Sequence, residues 1–228
     1  MRITVFSAHP DDAEFAMGGV LLMLSKAHDV TNVILTRGEA GTHGTPAQRE
    51  EEGYQAGRIG GYDVRFLNHT DTRIEDSTKS IEELALVIRE LQPRVIFTPY
   101  HTNNGPHTDG RAHHDHSALG QIVRKAARIA KFKNAPIRGV AHAAERIIYY
   151  MVPRNARPSF TVDVSSTIDE LPVLWKAHES QTALKRGAII DYLLAERRAV
   201  GHSCSVEYAE AFITEPLVLS IHGFLPEE

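Results

Sequence analysis

Short apolar segments alternate with longer segments of mixed polarity along most of this 228-residue chain. The short segments are typical of buried strands, and the longer ones carry apolar residues at helical spacing. Strands are predicted at residues 2–7, 30–36, 64–67, 94–98, 146–152 and 160–164. Helices are predicted at residues 13–27, 46–60, 80–91, 117–130 and 168–184. This alternation predicts an α/β fold, with one Rossmann-like domain over residues 1–228 and a mostly parallel sheet covered by helices on both faces.

Polar loops follow four of the predicted strands. They span residues 9–12, 37–41, 68–73 and 99–116. In open parallel sheets, ligands bind beyond the carboxyl ends of the strands. We therefore expect the active site at this edge of the sheet. Other polar residues of these loops and their neighbours are expected on the same rim without an assigned role, namely Asp71, Arg73, His43, His101 and His107.

The overall charge and the cysteine content narrow the classes of partner. The net charge is -4, whereas nucleic acids and anionic membranes are bound through a basic face. The one cysteine, Cys204, cannot form an intramolecular disulfide, and that fits a reducing compartment. The first six residues read as a strand instead of an export signal. These features predict a cytoplasmic protein with no nucleic-acid or membrane partner.

Histidines mark a candidate metal site. The chain has 13 of them, and a cluster of histidines lies between His101 and His116. His9 and Asp12 are three residues apart at a predicted strand-to-helix turn, so their side chains can converge. One imidazole from residues 113–116 would complete a set of two histidines and one carboxylate, which suits catalytic zinc with a position open for water. An aspartate at a helix start is also a common cap, and surface histidines are common too.

Five motifs, in order, resemble those of one family. They are Ala8-His9-Pro10-Asp11-Asp12, Leu35 to Gly41 with Arg49-Glu50 following, His113-x-x-His116, His178-Glu179-Ser180-Gln181 and Tyr208-Ala209-Glu210-Ala211-Phe212. Together they resemble the LmbE-like, or PIG-L-like, zinc-dependent N-acetylglucosaminyl deacetylases. The last motif resembles the branch that makes bacillithiol. The sequence departs from the pattern at His114, where many members have proline, and at Asn103-Asn104-Gly105 in the same loop.

The resemblance implies a role for each matching residue. It implies that His9, Asp12 and His116 bind zinc, and iron(II) suits the same ligands. Asp11 is implied as the general base that takes a proton from metal-bound water. His113 is implied as the group that stabilises the oxyanion, as a charged imidazole, or protonates the leaving amine.

Three further residues are candidates for substrate binding. Arg49 resembles a position that holds the anionic part of the substrate, and its alternative is an exposed helix charge. Glu39 could bind sugar hydroxyls or close its own turn. Asp115 could lie at the substrate, orient His113 or His9, or cap a helix. His178 and Gln181 are expected to buttress the fold or an interface.

The resemblance implies a metal-dependent hydrolase that removes the N-acetyl group from an N-acetylglucosamine-type substrate, with metal-bound water as the nucleophile. N-acetylglucosaminyl-malate is one candidate substrate, and chitobiose or an inositol conjugate are alternatives. An alternative function is that of a catalytically inactive module that binds a sugar or a metal. The chain lacks a His-Glu-x-x-His helix, a Gly-x-Gly-x-x-Gly turn after its first strand and a Walker-type loop, which argues against zinc peptidases and nucleotide binding. The expected partner is a small amino sugar, and relatives often form homo-oligomers.

Overall fold

The computed structural model describes residues 1–102, 113–183 and 188–215. The strands are β1 Arg2–Ser7, β2 Asp29–Ile34, β3 Asp63–Phe66, β4 Val95–Pro99, β5 Arg146–Tyr150, β6 Phe160–Asp163 and β7 Ala209–Glu215. The helices are α1 Asp12–Ser25, α2 Pro46–Gly60, α3 Thr78–Leu91, α4 His114–Ala130, α5 Leu171–Trp175, α6 Glu179–Thr182 and α7 Ala188–Ser203. Within these three ranges, no helix is both long and apolar enough to span a bilayer.

The strands form a seven-stranded sheet in the order β3-β2-β1-β4-β5-β7-β6. The first five strands of this order run parallel to one another. The strand β7 is antiparallel to both of its neighbours, β5 and β6. The predicted α/β fold with a mostly parallel sheet is therefore confirmed. Because β1, β2 and β4 are parallel, their carboxyl ends lie at the same edge of the sheet.

Two apolar clusters cover the two faces of the sheet. Ile3 and Val5 of β1 belong to a cluster that includes residues of α1, α5 and α7. Phe6 and Ala8 belong to the second cluster, which includes residues of α3 and α4. Successive side chains of a strand point to opposite faces, so β1 contributes to both clusters. Helices cover both faces, as the sequence predicts.

The C-terminal third differs from the sequence-based prediction. One helix over residues 168–184 is wrong, because α5 and α6 are separated at His178, whose backbone is non-helical (φ -91°, ψ 62°). The Trp175 Nε1–H donates to the carbonyl oxygen of Glu14 at 2.7 Å, and His178 Nε2 lies 3.5 Å from Glu14 Oε2. These buried contacts with α1 set the break. The helix α7 and the strand β7 have no counterpart in the prediction, and Leu184 lies outside the described residues.

The C-terminal elements are attached to the middle of α1 by a buried ion pair. Helix α1 is interrupted at Met17, whose backbone is non-helical (φ -139°, ψ 26°). Beyond the interruption, the N–H groups of Gly19 and Val20 donate to the carboxylate of Glu210 at 2.9 and 2.8 Å. Arg197 of α7 donates to the same carboxylate through Nε at 2.7 Å. Glu210 on β7 thus accepts hydrogen bonds from both α1 and α7 and links these two helices to the sheet.

Candidate metal centre and active site

His9 and Asp12 lie where β1 ends and α1 begins. Asp12 Oδ2 accepts the backbone N–H groups of Ala8 and His9 at 2.8 and 2.9 Å, so the carboxylate closes this turn. Its other oxygen, Oδ1, lies 3.0 Å from His116 Nε2 in the first turn of α4. Asp12 therefore folds the turn and also faces His116.

Two imidazole nitrogens and the two oxygens of the Asp12 carboxylate lie close to one point. His9 Nδ1 lies 3.2 Å from His116 Nε2 and 3.7 Å from Asp12 Oδ2. Ligand atoms bound tetrahedrally at about 2.0–2.2 Å from zinc are separated by roughly 3.3–3.6 Å. The measured separations bracket this spacing, so the residues fit a divalent cation. His9, His113 and His116 also bring three ring nitrogens within 4.8 Å of one another.

The second nitrogen of His9 shows which of its atoms is available as a ligand. His9 Nε2 lies 3.0 Å from Asp71 Oδ1 and 3.3 Å from Asp115 Oδ2. Burial opposes ionisation of Asp71, but the hydrogen bond and charge of His9, together with hydrogen bonds from the backbone N–H groups of Ala40 and Thr72, outweigh it and lower the pKa of Asp71 to about 2. An ionised carboxylate only accepts hydrogen bonds, so Nε2 keeps its proton and Nδ1 is the nitrogen that can give up a proton to bind a cation. A second nitrogen held by a carboxylate is characteristic of metal-binding histidines.

The charge balance of the cluster also fits a bound cation. Burial lowers the pKa of His9, but the carboxylates of Asp12, Asp115 and Asp71 together raise it well above its usual range. Burial opposes ionisation of Asp12 as well, and His116 and His9 lower its pKa well below the usual range. The cluster therefore holds a proton that a cation would displace on binding.

His113 lies beside His9 and His116 in a different hydrogen-bonding state. Its ring centroid is 4.9 Å from that of His9 and 5.4 Å from that of His116. Its Nδ1 accepts the backbone N–H of Asp115 at 3.3 Å, so in the neutral ring the proton is on Nε2. Burial, with His9 and His116, lowers the pKa of His113. The ring is thus a neutral donor, whereas the sequence analysis expects a charged imidazole.

Asp11 is held in an unusual conformation by Arg49. Its backbone is left-handed, with φ 106°, a strained state that clusters at functional sites. Its Oδ2 accepts from the Arg49 guanidinium at 3.1 Å, which also donates to the carbonyl oxygens of Pro10 at 2.8 Å and Gly38 at 3.0 Å. Burial raises the pKa of Asp11 to about 6, although Arg49 opposes the rise. A carboxylate with this pKa suits proton transfer near neutral pH.

Comparison with known proteins places this constellation in a family. Residues 4–127 match the family model described as "PIG-L: GlcNAc-PI de-N-acetylase". The chain belongs to the PIG-L family. The match contains both segments of the metal centre, residues 9–12 and 113–116. It ends before α7 and β7.

A curated relative covers more of the chain. The chain is 27% identical over 196 residues to the probable N-acetyl-alpha-D-glucosaminyl L-malate deacetylase 2 of Bacillus cereus, covering 79% of this chain and 84% of the relative. This match agrees with the resemblance of residues 208–212 to the bacillithiol branch.

Solved structures resemble the whole PIG-L chain. A conserved protein of Thermus thermophilus is 32% identical, with a TM-score of 0.85 over 98% of this chain and 99% of that chain. The N,N'-diacetylchitobiose deacetylase of Pyrococcus horikoshii is 22% identical, with a TM-score of 0.83 over 94% of this chain and 84% of that chain. A 4-carboxy-2-hydroxymuconate hydratase of Pseudomonas putida is 19% identical, with a TM-score of 0.80 over 99% of both chains. The last two likenesses concern the fold alone.

The three predicted substrate-binding residues of this PIG-L chain have other partners in the structure. Arg49 is buried, with 5% exposure, which argues against the exposed helix charge. Glu39 accepts the N–H groups of Arg37 at 3.1 Å and Asp71 at 2.8 Å, which favours the turn-closing alternative. Asp115 is 0% exposed and contacts His9, so the structure favours an orienting role for it over contact with substrate.

A cavity of about 980 Å³ opens over the metal centre. It is lined by His9, Asp11, Asp12, His113 and His116 on one side, and by Met151, Tyr192 and Glu196 on another. The sequence does not point to the last three. Tyr192 and Glu196 belong to the unpredicted helix α7, and Met151 is an apolar residue at the end of a predicted strand. Gln181, expected to buttress the fold, also lines the cavity.

Three of the histidines without an assigned role lie in the part of the chain that the structure describes. His101 packs against Tyr149, with ring centroids 5.0 Å apart, and His114 Nε2 lies 2.8 Å from the carbonyl oxygen of Thr72. The backbone oxygen of His43 accepts from Gln181 at 3.1 Å. His107 and the Asn103-Asn104-Gly105 stretch lie outside the described residues.

Proposed function

We propose that this chain is a metal-dependent deacetylase that removes the N-acetyl group from an N-acetylglucosaminyl conjugate. The observation that carries the proposal is the convergence of His9 Nδ1, Asp12 and His116 Nε2 within 3.0–3.7 Å, in the same cavity as Asp11 and His113. Membership of the PIG-L family and the glucosaminyl-malate deacetylase relative support the choice of substrate class.

His9, Asp12 and His116 would hold the cation, for which zinc is the first candidate and iron(II) the second. A bound divalent cation supplies Lewis acidity, which acidifies water and polarises an acyl carbonyl. Asp71 and Asp115 keep His9 in the tautomer that presents Nδ1. Asp12 also accepts hydrogen bonds from the backbone of the turn that carries His9 and Asp12 itself, and so fixes the position of both residues.

Asp11 is proposed as the group that moves the proton. Arg49 fixes its Oδ2, and its pKa of about 6 leaves it mostly ionised at pH 7. The carboxylate accepts a proton from the attacking water. The protonated Asp11 then donates this proton to the departing nitrogen when the C–N bond breaks. The second hydrogen of the water leaves as a proton when the acetic acid ionises, so the products are acetate and the protonated amino sugar, and the proton count balances.

His113 is proposed as the donor to the developing oxyanion. Its Nε2–H is available because Nδ1 is occupied by the Asp115 N–H. A neutral imidazole stabilises negative charge through a hydrogen bond. It is a poor proton donor to an amine, and this is why Asp11 is assigned both transfers.

The test is acetate release by the purified protein from N-acetylglucosamine and its malate, inositol and chitobiose conjugates, with and without a chelator. We expect release that the chelator abolishes and added zinc or iron(II) restores. The conjugate with the largest kcat/KM identifies the substrate branch. A protein that binds the metal but releases acetate from none of these compounds would contradict the proposal and favour a binding module.

A further inference from the structure

A second cavity, of about 580 Å³, lies next to the cavity at the metal centre. It runs between residues 151–158 and the helix α7, and we name it the side groove. Six residues line both cavities, namely Phe15, Ala16, Met151, Arg154, Tyr192 and Glu196. The two cavities share these residues and are therefore adjacent, so a substituent of a molecule bound at the metal centre would point towards the side groove if it left the first cavity on this side.

The walls of the side groove are mainly apolar. They include Val152, Pro153 and Pro158 on one side and Ala195, Ala199 and Val200 on the other. Four charged residues also line it, in two pairs. Arg197 and Glu210 lie beneath the apolar walls, are paired at 2.6 Å and are only 4% and 3% exposed, and Arg154 lies 3.4 Å from Glu196. The side groove therefore offers apolar surface over a floor whose charges are already neutralised.

The cavity at the metal centre has a different chemistry. Asp71, Thr72 and the loop at Ala40 and Gly41 line it, so it provides polar groups for sugar hydroxyls. The arginines that line it within the described residues already have acidic partners. Arg49 contacts Asp11 at 3.1 Å, and Arg154 contacts Glu196 at 3.4 Å. Polarity thus falls from the metal centre towards the side groove.

We propose that the side groove binds an apolar aglycone of the amino-sugar substrate, such as an alkyl chain. The sugar would occupy the polar cavity, with its acetamido group at the metal centre, and the aglycone would lie along α7. This inference rests on the proposed deacetylase function. It differs from an anionic aglycone such as malate, which would gain nothing from the apolar walls.

The test uses methyl, butyl and hexyl glycosides of N-acetylglucosamine, all below their micelle concentrations. Burial of each methylene favours binding roughly fourfold. If part of the chain is buried, kcat/KM for acetate release should rise about tenfold or more from methyl to hexyl. Equal kcat/KM values across the series would overturn the inference while leaving the deacetylase proposal intact. A parallel series with lengthened N-acyl groups tests whether the side groove binds the acyl chain of the substrate instead of the aglycone. A rise in kcat/KM in this series alone would also overturn the inference.

A variant of the side groove gives the matched control. Ala199→Glu places a charge on the groove wall, at an exposed helix position where folding should tolerate it. The hexyl-to-methyl ratio of kcat/KM should then fall towards one. Val140→Glu adds the same charge at a position that is 71% exposed and does not line the groove, and it should leave the ratio unchanged.

Binding without turnover separates this inference from the deacetylase proposal. Hexyl glucoside has no amide, so its affinity, measured by calorimetry, does not depend on the reaction. Binding at least about tenfold tighter than that of methyl glucoside, and weakened by Ala199→Glu, would support the side groove even if no compound released acetate. Equal affinities for the two glucosides, or no effect of Ala199→Glu, would overturn it.

Discussion

Helix α1 carries two buried ionic clusters, and they differ in what their charged groups face. At its first turn, the carboxylate of Asp12 and two imidazoles direct lone pairs towards one point beside a cavity. In its middle, the carboxylate of Glu210 accepts from two backbone N–H groups and from Arg197. Both clusters are almost fully buried. We call the first the open cluster and the second the closed cluster.

The comparison teaches that burial of charge does not by itself identify a functional site. Breaking a buried ion pair lowers the free energy of unfolding. An ion pair whose hydrogen bonds are all made within the protein has no donor or acceptor left for a ligand. The open cluster, at the first turn of α1, keeps unused coordination capacity. The open cluster should therefore affect catalysis and the closed cluster should affect stability.

The largest expected effect is on the open cluster. His116→Ala removes one of the three residues that we propose bind the metal, so the protein should lose bound metal and all measurable deacetylase activity, while remaining folded. Metal content by atomic emission, acetate release and circular dichroism check this. The exposed His202→Ala is the matched control and should keep both metal and activity. Full activity in His116→Ala would show that His116 does not bind the metal.

The next effect separates metal binding from proton transfer. Asp11→Asn keeps the shape of the side chain and loses the base, so kcat should fall by about 10²–10⁴, the usual contribution of general acid–base catalysis. Metal content should be unchanged, since Asp11 is not among the converging ligands. Asp29→Asn, at an exposed position at the start of β2, is the control. If Asp11→Asn instead loses its metal, Asp11 is a ligand and another group is the base.

The closed cluster should show the opposite behaviour. Glu210→Gln leaves the buried Arg197 without a charged partner, which should lower the free energy of unfolding by about 3–5 kcal/mol. Activity per folded molecule should be retained towards free N-acetylglucosamine, which has no aglycone to place in the side groove. Urea unfolding measures the first quantity and acetate release at low temperature the second. Glu207→Gln removes an exposed partner of Arg198, 3.4 Å away, and should change stability by about 0–1 kcal/mol.

The sequence predicts the open cluster better than the closed one. His9 and Asp12 lie three residues apart at one turn, so spacing indicates these two together with one imidazole from residues 113–116. The separate roles of His113 and His116 are implied by the family resemblance. The closed cluster depends on α7, whose buried positions are Leu193, Arg197 and Gly201. An arginine and a glycine on the buried face hide the helical period of apolar residues, and the sequence analysis consequently missed this helix.

Contacts between distant segments also escaped prediction. Arg49 stands among Glu50, Glu51 and Glu52, so its sequence context suggests an exposed helix. In the structure its guanidinium reaches Asp11, and Gly38 provides the room, because a Cβ at Gly38 would overlap this guanidinium. Such a contact depends on how α2 packs against the loop after β1, and local pattern carries no information about that packing.

The smallest expected effect tests the carboxylates behind the open cluster. Asp71 Oδ1 accepts from His9 Nε2 at 3.0 Å and its Oδ2 accepts from the Ala40 N–H at 3.0 Å. Asp71→Asn keeps one acceptor oxygen and removes the charge that makes His9 a stronger ligand. Metal affinity, measured by competition with a chromophoric chelator, should fall about 10–100-fold. The exposed Asp63→Asn should leave it unchanged. Unchanged affinity in Asp71→Asn would mean that Asp115 alone orients His9, and the open cluster would then depend on one supporting carboxylate.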